Sequence, residues 1–329
     1  MTIPALLFTP SRPKPYLLLR GDVNNETLTG HEIYRPWAAP VTFTSGATGG
    51  SGGSPRTTLS PRLRSAAVYQ NTTPFVCGFP LNGLTWGAKF TAISPALAAS
   101  PNTIAFSPSG RTIICMVGTT IHAHPWSETT GFGTRLTNPG VTPPGSAVAF
   151  SPDGRAVAFA GGETVHVWAW SDDTGFGTQY AAPSVAPSTT SINGVAFSHD
   201  GIFVVGSNMN GYQWNSETGF GTRYVATTSA VTAGSVSVHP NGKWVALYVS
   251  DLNFLKYYPW NPATGFGTVT ASNIGPSSST GIDFNYDGTY LAVSQSNGSV
   301  NIINTATLPT GLSVAGTAGS SATGYPSFS

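Results

Sequence analysis

Only 13 of the 329 residues carry a carboxylate side chain, so any acid–base chemistry must draw on a short roster. Hydrolysis by general acid and base needs two such groups converging on one pocket. Asp153, Asp200 and Asp287 each stand directly before a glycine in what reads as a tight turn, and Glu128, Asp172, Asp173 and Glu217 each stand just ahead of a Gly-Phe-Gly-Thr segment. These seven therefore recur for a structural reason. Asp22, Glu26, Glu32, Glu163, Asp251 and Asp283 remain, and nothing in their spacing brings them together.

Other chemistries fare no better. His122 and His166 occupy the same slot, four residues ahead of Trp126 and Trp170, and Lys256 fills that slot ahead of Trp260. A zinc ion would need a third ligand, and a slot repeated along a strand reads as packing or surface. Cys77 and Cys115 lack metal-ligand spacing and cannot make a disulfide framework, so they read as buried free thiols. The Gly-Phe-Gly-Thr segments lack the lysine and following helix of a phosphate loop. No Ser-His-Asp or Cys-His arrangement has motif support. The box Ser-x-Asp-x-Gly-x-x-Trp of sialidases is absent, because Gly154 directly follows Asp153. The sequence thus assigns no catalytic residue, no cofactor-binding residue, no metal ligand and no cofactor, and it leaves the binding residues undefined.

The elements that would hold these residues are plain. Charged residues are 8% of the chain against a typical figure of roughly a quarter, whereas Gly (39) and Pro (26) abound. This is a turn-rich, β-rich composition, and 40% apolar residues suffice for a core. A net charge of +1 gives no basic stripe for nucleic acid. No run reaches the roughly 18 apolar residues of a membrane helix, and the start Met1-Thr2-Ile3-Pro4 lacks a basic leader region.

Internal repetition is the dominant signal. Trp126 stands five residues before Gly131-Phe-Gly-Thr134, and the pattern returns at Trp170, Trp214 and Trp260, at spacings of 44, 44 and 46. Between these lie Phe106-Ser-Pro-Ser-Gly110, Phe150-Ser-Pro-Asp-Gly154, Phe197-Ser-His-Asp-Gly201, Val238-His-Pro-Asn-Gly242 and Phe284-Asn-Tyr-Asp-Gly288. Weaker copies begin at Phe8 and Leu59, for seven in all. Each copy reads as four strands, with apolar character falling from the first to the fourth and the glycine segment acting as the last turn. The expected fold is an all-β, seven-bladed β-propeller with four antiparallel strands per blade. It spans 1–315, with repeats starting near 5, 56, 103, 147, 194, 235 and 281. A Gly/Ser-rich excursion at 45–54 and a Gly/Ser-rich tail at 316–329 complete the chain. The last blade is expected to take its outer strand from Leu308–Ala315, and the tail and excursion are expected to contact an assembly.

The Phe-Ser-Pro-Asp-Gly turn and the strand ending in Trp resemble the WD40-like propeller repeat over roughly residues 5–315. The Trp-Asp and Gly-His dipeptides of that family are missing, so the strand-end Trp reads as packing only. The combination of Trp, Gly-Phe-Gly-Thr and the following Asn138-Pro139 is similar to repeat proteins carried by tailed bacteriophages. That resemblance implies a non-enzymatic, tail-associated virion protein, made in the host cytoplasm without a signal peptide. It would bind other virion proteins or a host-surface receptor through its rims, in multiple copies, without nucleic acid or membrane insertion. A cellular interaction scaffold or carbohydrate-binding propeller is the alternative, and a glycan hydrolase the least favoured.

Overall fold

The structure is a computed structural model that describes residues 17–22, 27–32, 41–44, 56–61, 64–69, 73–82, 85–189, 191–226, 233–249, 254–272, 279–284, 288–295, 300–305 and 313–318. The excursion at 45–54 and residues 319–329 of the tail lie outside these.

Every regular element among the described residues is a strand, and the strands pair antiparallel in chain order. The fourth sheet is the clearest copy. Ala147–Phe150, Ala156–Gly161, Thr164–Ser171 and Gly175–Gln179 lie side by side, each joined to the next by a short turn. Sheets of the same order begin at Arg56, Thr103, Gly194, Ala233 and Ser279. These starts fall within two residues of the repeat starts read from the sequence. The first strands of successive sheets lie beside one another from the second sheet to the seventh. The molecule is an all-β propeller whose four-stranded antiparallel sheets are its blades.

Seven equal blades are not what is described. Five sheets have four strands. The sixth has five, because its outer strand is broken into Gly265–Phe266 and Thr270–Ser272, both paired with Phe254–Asn261. The first has three, Leu17–Asp22, Thr27–Glu32 and Val41–Thr44. In the seventh sheet the outer strand is Ser313–Ala318, so it begins later than expected and takes in three residues that the sequence reading gave to the tail.

Burial also departs from a steady outward decline. The second strand of each central blade is the most enclosed: Thr112–Val117, Ala156–Gly161 and Gly201–Val205 are buried almost throughout. The first strands Thr103–Phe106 and Ala147–Phe150 are only half-buried. Only the outer strands behave as expected and meet solvent.

Glycines are required at two recurring places. Gly110, Gly154, Gly242 and Gly288 hold φ between 69° and 73° in the first hairpin, and Gly131, Gly175, Gly219 and Gly265 hold φ between 77° and 85°. The latter open the fourth strand instead of making the turn, which the preceding residues make. The second glycine of each motif has no positive φ. It makes room instead: a Cβ on Gly177 would sit 3.2 Å from Ala169 Cβ, and one on Gly267 3.0 Å from Pro259.

Candidate functional site

The blades are joined by a repeated latch. Trp126, Trp170, Trp214 and Trp260 end their third strands at 5–6% exposure, each packed edge-on against a phenylalanine of its own outer strand or tilted over it. Two residues beyond each of the first three, a polar side chain reaches back to the first hairpin of the preceding blade. Glu128 Oε2 accepts from the Ser60 hydroxyl at 3.1 Å, Asp172 Oδ2 accepts from the Ser109 hydroxyl, and the Ser216 hydroxyl donates to Asp153 Oδ2 at 2.7 Å. Arg111 adds an ion pair to Asp173 across the same seam. The indoles take part too, since Trp126 Nε1 donates to Ser65 at 2.9 Å and Trp170 Nε1 to Asp172 at 3.1 Å. Packing alone is therefore too narrow a role for the strand-end Trp.

These bonds account for the carboxylates chemically. Burial by itself would raise Asp153, but the Ser151 and Ser216 hydroxyls and the Arg155 amide outweigh it and hold its pKa below the usual carboxylate value. Asp172 behaves the same way through Ser109 and Trp170.

Between the fifth and sixth blades the polar side chain of the latch is missing. The position two beyond Trp260 is Pro262, and Ala263 follows, so no side chain there can reach back. The backbone nevertheless holds its place: the Tyr180 hydroxyl donates to Ser216 O, and one repeat later the Tyr224 hydroxyl donates to Pro262 O at 3.0 Å. The fifth blade's first hairpin is also short. Four residues separate the paired Phe197 and Ile202, against six between Phe150 and Val157 or between Val238 and Val245. Gly201 is consequently part of the strand, without a positive φ, and the Asp200 carbonyl accepts the Trp214 amide where the Arg155 carbonyl accepts that of Trp170.

At this seam lies an open cleft of about 530 Å³. Asp200 from the fifth blade faces it, with Asn241, Lys243, Trp244, Trp260 and Asn261 from the sixth. Asp200 Oδ1 accepts from the Ser198 hydroxyl at 2.9 Å and from Trp260 Nε1 at 3.3 Å, which fixes the carboxylate. Its Oδ2 has no hydrogen-bond partner among the described residues, in contrast to Asp153 Oδ2. Lys243 is exposed, and its ammonium makes no ion pair among the described residues. Chemically the arrangement offers an oriented carboxylate for taking a proton, a mobile cation for developing negative charge, and a half-buried indole, Trp244, for an apolar ring face.

The other residues weighed in the sequence do not converge. By strand alternation His122 and Trp126 share the face toward the second blade, while His166 and Trp170 share the face toward the third, so the third sheet stands between the histidines. Burial, then Arg135 and His124, lowers the His122 pKa to about 4, and burial lowers His166 as well. Lys256 is half-buried in the sixth blade. No group of three His, Cys, Asp or Glu that could hold a metal occurs among the described residues. Cys77 and Cys115 are buried free thiols with pKa raised by burial. Glu163 is exposed in a turn, Asp283 accepts from Ser237 at 2.9 Å between the sixth and seventh blades, and Glu217 is a further turn residue of the fifth. Asp22 and Glu32 lie on strands, while Glu26, Asp251 and Asp287 lie outside the described residues. The sequence reading assigned Asp200 to a structural turn. The signal that could have singled it out was the missing residue pair in its hairpin together with Pro262.

No protein-family model matches the sequence, and no curated protein matches it. Solved structures do match along nearly the whole chain. The periplasmic gluconolactonase of Pseudomonas aeruginosa superposes with a TM-score of 0.67 at 14% identity, over 95% of this chain and 98% of its own. A Bacteroides fragilis protein carrying a provisional 6-phosphogluconolactonase name gives 0.69 at 13%, over 98% of both chains. A Desulfotomaculum acetoxidans protein of unknown function gives 0.69 at 13%, over 94% of this chain and 98% of its own. At these identities the likeness establishes the propeller fold.

Three expectations are corrected by it. Fold neighbours carry names for lactone hydrolysis, so the non-enzymatic, phage tail-associated reading does not stand. Placement in a virion falls with it, one neighbour being periplasmic. The resemblance to WD40-like and phage repeats reduces to the propeller architecture that all of them share. Turn and strand-end residues carried that resemblance, and such residues report blade geometry, which is common to propellers of unrelated activity.

Proposed function

We propose that the protein is a hydrolase of the lactonase type, opening a small ring ester in the cleft between its fifth and sixth blades. The observation that carries the reading is the unlatched Asp200 carboxylate, held at one oxygen by Ser198 and Trp260 and facing a cleft that also contains Lys243. The names of the fold neighbours support the reaction class. In the step envisaged, Asp200 takes a proton from water as the water oxygen bonds to the ester carbonyl carbon, and the carbonyl electron pair moves onto oxygen near the Lys243 ammonium. Collapse then breaks the ring C–O bond, and the departing oxygen takes the proton back from Asp200. One water is consumed and one hydroxy acid released. Asp200→Asn should lower kcat for lactone opening by about 100-fold or more while leaving the fold intact. Unchanged kcat in a pH-stat assay, with circular dichroism confirming the fold, would remove Asp200 from this role.

We also propose that the sheets close into one ring of seven, with the sheet at Leu17–Thr44 as the blade between the seventh and the second. The seven sequence repeats favour this count, and the propeller domain would then run to Ala318, the end of the seventh sheet's outer strand.

A further inference from the structure

We infer that the cleft selects uncharged lactones of polyhydroxylated acids and discriminates against their phosphate esters. This rests on the lactonase reading above and adds to it a substrate class. Asp200 and Lys243 are the charged side chains of the lining, and they cancel. A phosphate monoester brings about −1.5 to −2 charge at neutral pH and is commonly held by arginine forks, a lysine or the N-terminus of a helix. The described elements are all strands, so no helix N-terminus is at hand. The single lysine is already engaged by the charge that develops on the carbonyl oxygen, and the arginine that earlier blades place at this seam, Arg111 or Arg155, has no counterpart in the shortened fifth hairpin. What the cleft does supply suits a neutral polyol ring. Asn241, Asn261 and Thr264 offer hydrogen-bonding groups, and the Trp244 indole offers a flat apolar face for ring C–H groups.

The test compares glucono-δ-lactone with its 6-phosphate on the full chain, following kcat/KM by acid release and subtracting spontaneous opening. We expect the neutral lactone to be preferred by at least about 10-fold. We also expect Ala263→Arg, which returns a cation to the seam, to reduce that preference at least several-fold while leaving kcat for the neutral lactone near wild type. An equal or reversed preference in the wild type overturns the inference and leaves the lactonase reading standing. Failure of both substrates to open faster than background overturns the two together.

Discussion

The indole of Trp126 lies so close to Gly78 of the preceding blade that a Cβ there would sit 2.5 Å from the Trp ring and 2.9 Å from Phe90. Gly211 stands in the same relation to Trp260, at 2.7 Å. Blade contact at these seams is thus set by one large and one vanishing side chain, and the seam cannot widen locally because both partners are strand residues in packed sheets. Gly78→Val should therefore cost about 1–3 kcal/mol or more. Gly140→Ala, where a Cβ would meet nothing within 4 Å, should change stability by less than about 0.5 kcal/mol. Urea melts of the two variants check the contrast, and equal losses would mean that the glycine is not the seat of the Trp.

Restoring the absent latch tests the origin of the cleft. Pro262→Ser places a hydroxyl where Ser216 reaches Asp153 one seam earlier. We expect the new hydroxyl to bond Asp200 and to raise the unfolding midpoint; if Asp200 is the base of the proposed lactonase reaction, lactone opening should fall at least about tenfold. A more stable variant with full activity would place the reaction elsewhere.

A sequence discloses a fold only so far as each residue type reports on it. Blade starts were legible because Phe150, Gly154, Trp170 and Gly175 mark obligatory packing and positive-φ positions, and these recur with the blade. The site was not, because it arises from what is missing at one seam: the two residues lost between Phe197 and Ile202, and the acid or serine replaced by Pro262. Asp200 looks like Asp153 in sequence, and only the partner across the seam tells them apart. The same reasoning exposes a compensation that periodicity hid. The Thr305 amide donates to the Thr289 carbonyl as the Trp260 amide does to Lys243, so Thr305 fills the Trp slot of the seventh blade.

Opposite that small residue the sixth blade carries a large one. Tyr257 sits three residues before Trp260, the slot that Gly78, Ala123, Val167 and Gly211 fill in other blades, and it is fully buried among Ile282, Phe284, Leu291 and Ile303. Its hydroxyl has no partner among the described residues, and burial holds its pKa well above the usual tyrosine value. Tyr257→Phe removes that unpaired group while keeping the ring, and should leave stability unchanged or raise it by about 1 kcal/mol. Tyr257→Ala should cost about 3–5 kcal/mol. A loss of more than about 1 kcal/mol in the phenylalanine variant would reveal a partner for the hydroxyl.

Acid should loosen the third blade first. His122 is 6% exposed, its Nδ1 has no partner among the described residues, and its pKa in the fold is lowered to about 4 from 6.5 through burial and the nearby Arg135 and His124. The folded chain therefore binds the His122 proton less readily than the unfolded chain. Above about pH 6.5 both states carry neutral imidazole and the residue has no pH-dependent effect. As pH falls below that value the unfolded state gains protons that the fold excludes, and stability declines until the folded group itself titrates near 4. His124, lowered in the same direction by burial, adds to the slope. A His122→Phe variant, which keeps an aromatic ring and removes the titration, should show a flatter dependence of unfolding free energy between pH 6.5 and 4 than the wild type. Parallel curves for the two proteins in that window would show that His122 is protonated in the fold, and that the acid sensitivity of the blade has another source.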